Sequence, residues 1–171
     1  MRYNDANGYS VGTVDGVAGI GIATANANLG TVAGTISQAN GIVAAGLALT
    51  GTGNFNLNHT GNDIGTLAAN ANGGNSLYHD ATNFNIGAVD GVTGVRIGAN
   101  NLTLSTSGSE THAAAGNNIS ALGLELLRTG GNYQLTDATN VITNIAGNTG
   151  VVNYTNNASL VVGTVGANTG L

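Results

Sequence analysis

Apolar and polar residues alternate along much of the chain, over runs of three to five positions. Examples are FNL at 55–57, LTL at 102–104 and LEL at 124–126. This period of two is typical of a β-strand with one buried face. Pairs such as Asn-Gly, Gly-Gly and Asp-Gly separate the runs, and these residues tolerate the positive φ of bends. The best helical candidate, 113–127, contains Gly-Asn-Asn at 116–118, which disfavours a helix.

The strand-like runs recur at a regular spacing. Leu57 in one run is followed by Tyr78 in a later one, and Leu135 is followed by Tyr154 at nearly the same interval. A period of about 20 residues is typical of a solenoid, in which each unit buries its apolar face only against its neighbours. The pattern predicts an all-β chain folded as a right-handed parallel β-helix, or β-solenoid. Division of 171 residues by this period predicts about eight rungs in a single domain, 1–171.

A longer repeat overlies this period. The phrase that begins at Tyr3 recurs at Tyr78 and again at Tyr154, at two almost equal intervals, and the segment 46–58 matches 123–136. We expect the copies of the phrase to lie on equivalent layers of one stack. The positions predicted to form the stacked core are Val11, Val14, Ile86, Val89, Val162 and Val165, and the glycines predicted at close-packed bends are Gly12, Gly87 and Gly163.

Composition narrows the kind of core and the classes of function. Hydrophobic residues make up 42% of the chain and aromatic residues only 4%, so the core must consist mainly of Val, Ile, Leu and Ala. The three cations, Arg2, Arg96 and Arg128, are dispersed, so we expect no nucleic-acid partner. The absence of Cys excludes disulfides, thiol catalysis and thiolate metal sites. The absence of Pro is consistent with strands that donate hydrogen bonds on both sides.

The sequence shows neither a membrane span nor an export signal. The longest apolar run, 41–49, is about half the length that a membrane-spanning helix requires. The first residues lack a basic segment followed by an apolar one. We therefore expect a chain that is either intracellular or part of a longer secreted protein.

The repeated phrases resemble those of a known family. The run at 3–20, together with GTLAAN at 65–70, GLELL at 123–127 and GGNYQLTDATN at 130–140, resembles the central repeats of filamentous-haemagglutinin-type exoproteins. These are large adhesins of Gram-negative bacteria that leave the cell by two-partner secretion, and the resemblance covers essentially the whole chain. It implies a right-handed β-helical fibre, secreted or displayed at the bacterial cell surface, that serves in adhesion or biofilm formation. The implied partner is a host-cell or matrix surface.

The resemblance is to the shaft of such a protein. The family's secretion domain carries Asn-Pro motifs near its start, and this chain contains no proline. Shaft repeats have no catalytic motif, so no functional residue carries over and neither a cofactor nor a metal is expected. The repeat runs almost from end to end without a polar cap, so we expect open strand edges and self-association through the end rungs.

Few residues suit catalysis. Each histidine has an acid close in sequence, in the pairs His59 with Asp63, His79 with Asp80, and His112 with Glu110. Neighbouring residues of a strand point to opposite faces, so His79 and Asp80 cannot share a site on a regular strand. Asp5 and Asp80 are repeat-equivalent, as are Asp15 and Asp90, which indicates turn capping.

Other classes of function remain as alternatives to a non-enzymatic shaft. A glycan-binding or glycan-cleaving β-helix would need a polar groove. An ice-binding β-solenoid would need threonine at one fixed rung position, and runs such as 102–106 place it irregularly. The glycine-rich segment 73–81 lacks the spacing of a calcium-binding nonapeptide, and 16–21 is a poor match to a dinucleotide loop.

Overall fold

The chain folds into stacked coils built from short β-strands. The computed structural model describes residues 1–112 and 115–171. All regular secondary structure within them is β-strand. In chain order the strands are β1 (Arg2–Asp5), β2 (Gly8–Val11), β3 (Thr13–Val14), β4 (Val17–Ala18), β5 (Ile20–Thr31), β6 (Thr35–Gln38), β7 (Ile42–Gly51), β8 (Asn54–Leu57), β9 (Asp63–Ala71), β10 (Ser76–Asp80), β11 (Phe84–Ile86), β12 (Ala88–Val89), β13 (Val92–Thr93), β14 (Val95–Arg96), β15 (Asn101–Thr106), β16 (Ser109–His112), β17 (Ile119–Leu135), β18 (Val141–Tyr154), β19 (Val161–Val162), β20 (Thr164–Val165) and β21 (Asn168–Thr169).

Most strands pair in parallel with the strand one coil earlier or later. Gly46 pairs with Thr66 in the next coil, and Ala69 pairs with Val95 across a longer coil. This pairing makes a β-solenoid of about 7 turns, which confirms the predicted fold class. The number is slightly lower than the predicted eight because short antiparallel hairpins lengthen some of the coils.

Copies of the long repeat do not share one ladder of paired residues. Leu47 pairs with Ala27 and Leu67, whereas its repeat equivalent Leu124 pairs with Leu102. The two rows belong to separate ladders, so the expectation of equivalent layers is wrong in this respect. The interval between copies is not a whole number of coils, and each copy therefore begins on a different side of the stack.

Rows of stacked side chains fill the interior, with one residue from each coil. One row consists of Tyr3, Leu29, Leu49, Ala69, Val95 and Ile119. From Leu29 onward its members are at most 2% exposed, while Tyr3 at its end is 47% exposed. Full burial of a Leu or Ile side chain contributes about 1.5–3 kcal/mol. Each coil that covers another therefore adds to the stability of the stack.

Buried asparagines tie the coils together at the corners. Asn62 is fully buried, and its Nδ2 donates to the carbonyl oxygens of Leu57 and His79 at 3.2 and 3.0 Å. Its Oδ1 accepts the N–H of Ile42 at 2.9 Å. Asn140 makes the same kinds of bond one repeat later. A buried polar group left unpaired costs about 1–3 kcal/mol, so these bonds fix the path of the backbone where it turns.

The described residues contain no helix long and apolar enough to cross a membrane. Of the segment 113–127, residues 113 and 114 lie outside the described residues, and from Ile119 onward it belongs to β17.

Candidate functional site

Three antiparallel hairpins interrupt the parallel coils, one in each copy of the repeated phrase. We name them the first hairpin (13–18), the second hairpin (88–93) and the third hairpin (164–169). The Asp-Gly turns of the first two have positive φ at both residues, 50° and 80° in one and 49° and 85° in the other, as a type I′ turn requires. Gly166 in the third has a φ of 59°, as at the first position of a type II′ turn.

Two glycines close each hairpin at its base. The N–H of the second glycine donates to the carbonyl oxygen of the first at 2.8–2.9 Å, in the pairs Gly19 to Gly12, Gly94 to Gly87, and Gly170 to Gly163. The second glycines have φ between 67° and 80°. The prediction of close-packed bends at Gly12, Gly87 and Gly163 holds for Gly163, where a Cβ atom would lie 3.3 Å from Cγ1 of Val161, and is wrong for Gly12, while for Gly87 it stays a prediction. A Cβ atom on Gly12 would meet nothing within 4 Å.

The second hairpin folds back over the outer face of the two preceding coils. Val89 is 3% exposed and packs in a small apolar cluster with Ala48 and Ala68. A Cβ atom on Gly46 would lie 2.9 Å from Cγ2 of Val89. Glycine at this strand position therefore permits the close approach of the hairpin.

Two polar contacts complete the docking of the second hairpin. Nδ2 of Asn26 donates to Oδ1 of Asp90, in the hairpin turn, at 2.7 Å. The N–H of Ala69 donates to the carbonyl oxygen of Gly94, at the hairpin base, at 2.8 Å. Asn26 pairs with Gly46 in the ladder, so the recognition surface consists of one asparagine, one glycine and small apolar residues on adjoining strands.

The third hairpin docks in the same way. Val165 is 3% exposed, and a Cβ atom on Gly123 would lie 2.8 Å from its Cγ1. Gly123 is the repeat equivalent of Gly46, so the contact between a valine and a glycine recurs. The polar contact differs from that of the second hairpin, because here Nδ2 of Asn168, in the hairpin, donates to the carboxylate of Glu125, in the coil, at 2.8 Å.

The first hairpin is exposed, although its sequence closely matches that of the second. Val14 and Val17 are 72% and 70% exposed. The prediction that Val14 belongs to the stacked core is therefore wrong, because this valine lies on the face of a hairpin and nothing among the described residues covers it.

The other predicted core residues divide into three groups. Val11 and Ile86 are 6% and 0% exposed and lie in the main interior. Val89 and Val165 are buried outside it, under the docked hairpins. Val162 is 58% exposed, and its prediction as core is wrong because β19 belongs to the last coil and pairs only with β18 in the described sheet.

A polar groove, which we call the outer groove, follows the outer face of β8, β10, β15 and β17. Two adjoining cavities of about 370 and 260 Å³ form it and share Leu77 and Thr103 in their walls. Amides and hydroxyls provide most of the other lining, with His79 and Arg128 at one end. Thr103 pairs with Leu77 and Glu125 in the ladder, so it does not stand in a row of threonines.

His79 and Arg128 are the unusual residues of the outer groove. His79 is 4% exposed, its Nδ1 lies 2.9 Å from Oγ of Ser105, and its Nε2 has no hydrogen-bond partner among the described residues. Burial, and then the charge of Arg128, hold the pKa of His79 below its usual value. Arg128 has a φ of 96°, which is rare for a residue other than glycine, and the pairing of β17 with β18 shifts register directly after it.

Among the described residues, two of the acids near the histidines hold turns and strands in place by hydrogen bonds. Asp80 is fully buried, and its carboxylate accepts the hydroxyl of Tyr78 at 2.6 Å and the N–H of Thr82 at 2.8 Å. It therefore lies on the opposite side of β10 from His79, as the strand alternation predicts. Asp5 caps its turn in the same way, by accepting the N–H of Asn7 at 2.8 Å. The side chain of His112 lies outside the described residues.

Glu110 is a buried acid that the sequence does not single out. It is fully buried in a row between Phe84 and Tyr133, and its carboxyl oxygens make no hydrogen bond of normal geometry to the described residues. Burial raises the pKa of Glu110 well above its ordinary value, opposed by the backbone N–H of Ile86. Its interior position could be inferred only from the aromatic residues that pair with it, and the ladder register is needed to identify them.

The chain matches no family model, no curated protein and no solved structure. The candidate sites therefore rest on the geometry of the chain itself. The docking contact was missed at the level of sequence, although one signal for it was present. The interval from Gly46 to Gly123 is nearly the same as the interval from Val89 to Val165, and this shared spacing links the two repeated segments.

Proposed function

We propose that the chain is a non-catalytic shaft segment of a secreted or surface-displayed bacterial adhesin or fibre, and that it associates end to end. The observation that carries this proposal is the location of exposed apolar side chains. Most of the large ones lie at the two ends of the stack, with Met1, Tyr3, Val14 and Val17 at one end and Val151, Leu160, Val161, Val162 and Leu171 at the other.

Open strand edges occur at the same two ends. In the described sheet β1 pairs with β5 alone, and β19 pairs with β18 alone. Parallel strands with unpaired N–H and C=O groups on one side are templates for a further strand. An additional coil would bury the apolar side chains and pair the backbone groups in one step.

The mechanism of such a shaft is mechanical. Each coil adds about 4.8 Å along the axis, and the backbone hydrogen bonds run parallel to that axis. The interior rows and the corner asparagines resist bending, because any bend would separate packed side chains and buried hydrogen bonds. The resemblance to filamentous-haemagglutinin-type repeats supports the adhesin role, in which a rod holds a distant tip away from the cell.

The test of this proposal is assembly as a function of concentration. We expect sedimentation to show growing oligomers, and electron microscopy to show filaments with an axial repeat of about 4.8 Å. Val162→Asp, at the last coil, should reduce assembly. Val32→Asp is the matched control, because Val32 is also exposed, at 60%, but does not belong to either end group. A chain that stays monomeric at high concentration would contradict the proposal.

A glycan-binding role is the second candidate, and the outer groove favours it. Hydroxyls and amides line the groove beside the apolar Leu77, and Arg128 lies at one end of it. Arg128 would suit an acidic sugar. Titration with uronic-acid oligosaccharides should then show binding that Arg128→Gln weakens and that Arg96→Gln, away from the groove, leaves unchanged. Equal effects of the two substitutions would remove this candidate.

A further inference from the structure

The three hairpins provide an internal comparison between occupied and vacant docking surfaces. The second and third hairpins each bury one valine against a glycine on the outer face of an earlier coil. The first hairpin presents the equivalent Val14 to solvent, with Val17 beside it. An open cavity of about 320 Å³ adjoins it, lined by residues that include Val14, Tyr3 and Leu29.

We propose that the first hairpin is a docking surface for three further coils of the same β-solenoid repeat. This inference deepens the proposed shaft function, since it states how successive parts of the shaft are fastened, and it rests on that function only for its biological role. The occupant is defined by the contacts of the second hairpin. In the occupant, one strand carries a glycine opposite Val14, and small apolar residues lie beside that glycine. Gly46, Ala48 and Ala68 form the equivalent surface for Val89.

Charge and hydrogen bonding narrow the occupant further. Asp15 holds the same turn position as Asp90, with a φ of 50° against 49°. Asp90 accepts a hydrogen bond from Asn26, which pairs in the ladder with Gly46. In the occupant, one strand carries the glycine opposite Val14. The strand that pairs with it in the coil before should therefore carry an asparagine that donates to Asp15. The carbonyl oxygen of Gly19 should accept an N–H from the nearest of these coils, as the carbonyl oxygen of Gly94 accepts one from Ala69.

The position of the occupant follows from the direction of docking. The second hairpin covers β7 and β9, which precede it by two coils and by one coil. The coils that fit the first hairpin therefore stack on the free edge of β1. That edge also exposes Tyr3, the end of an interior row. Docking of the hairpin and extension of the ladder would occur together and would close both exposed surfaces.

The chain itself supplies the test. An extended chain is made with residues 20–75 placed directly ahead of Met1 and followed by the whole of 1–171. Because Tyr78 is equivalent to Tyr3, the sequence ahead of the first hairpin then matches the sequence ahead of the second. The measurement is hydrogen exchange at the amide of Gly19, which closes the first hairpin, with the amide of Gly94 as the internal reference.

We expect the exchange of Gly19 to slow by at least about tenfold in the extended chain and to approach that of Gly94. Gly46→Val in the added segment should abolish this protection, because its side chain occupies the place of the valine. Gly21→Val in the added segment is the control, since a Cβ atom on Gly21 meets nothing within 4 Å. The hairpin and the added coils belong to one molecule, so this measurement does not depend on fibre formation.

Two results would overturn the proposal. One is equal exchange of Gly19 in the parent and extended chains while the added coils show protected amides of their own. The other is protection of Gly19 in the extended chain that Gly46→Val in the added segment leaves unchanged, measured at a protein concentration at which the parent chain is monomeric.

Discussion

The first and second hairpins have nearly the same sequence and opposite surroundings. Both contain a Val-Asp-Gly-Val turn of type I′, and both are closed by a bond between glycines at 2.8–2.9 Å. Yet Val14 is 72% exposed and Val89 is 3% exposed. Local sequence thus determines the shape of the hairpin, whereas its burial depends on a partner surface supplied by other coils. On that surface, Gly46 leaves room for Val89.

The largest effect should come from a charge placed at the two equivalent valines. Val89→Asp would bury a carboxylate against Ala48 and Ala68, and we expect a loss of about 3 kcal/mol or more in the free energy of unfolding. Val14→Asp should change it by less than about 0.5 kcal/mol, because that side chain is in solvent. Urea denaturation of both variants measures the difference. Similar losses would mean that the first hairpin is also docked.

The next effect should come from the glycine beneath the second hairpin. Gly46→Ala places a methyl group 2.9 Å from Val89, and overpacking of this kind costs about 1–3 kcal/mol. Gly21→Ala is the matched control, because Gly21 also lies in a strand and a Cβ atom there meets nothing within 4 Å. Thermal unfolding of the two variants should separate them by several degrees. If both melt together, the hairpin does not press on the strand.

The pH dependence of stability should separate the interior of the stack from the hairpins. Burial raises the pKa of Glu110 above its ordinary value of 4.5, so the folded chain keeps this proton to a higher pH than the unfolded chain does. The contribution of Glu110 to stability is therefore fully present below about pH 4.5 and is lost as the pH rises through the raised pKa. The slope is at most about 1.4 kcal/mol per pH unit.

Glu110→Gln should remove this dependence and leave the difference between Val89→Asp and Val14→Asp unchanged. Denaturation series at several pH values provide the measurement. A slope that persists in Glu110→Gln would place its origin in another residue.

The smallest effects should come from the polar contacts of the two docked hairpins. Glu125 is 6% exposed and holds the third hairpin through Asn168, so we expect Glu125→Gln to cost about 1 kcal/mol. Asn26 and Asp90 meet at an exposed site, and Asn26→Ala should cost about 0.5 kcal/mol. Equal costs in urea denaturation would show that burial does not strengthen the contact of the third hairpin.

The fold class could be predicted from sequence because it depends on two strong periodic signals. The alternation at Leu102 and Leu104 indicates strands, and the spacing of about 20 residues indicates coils. Both signals survive the irregular lengths of individual turns. The number of coils does not follow from the period alone, since a hairpin adds residues to a coil without adding a layer.

The docking site could not be predicted, because alternation does not distinguish a strand of the stack from a strand of a hairpin. Val14 and Val162 fit the pattern of buried valines, yet one lies on an exposed hairpin and the other in the last coil. Glu110 gives no signal at all, since an acid in an alternating run is ordinarily on the outer face. These positions depend on register between coils, which a single sequence leaves open.

The most direct test of the account is hydrogen exchange at the three glycine amides that close the hairpins. Gly19, Gly94 and Gly170 each donate the same bond, at 2.9, 2.8 and 2.8 Å, so any difference in exchange reports docking rather than the hairpin itself. The account predicts slow exchange at Gly94 and Gly170 and fast exchange at Gly19. Equal rates at all three amides would contradict it.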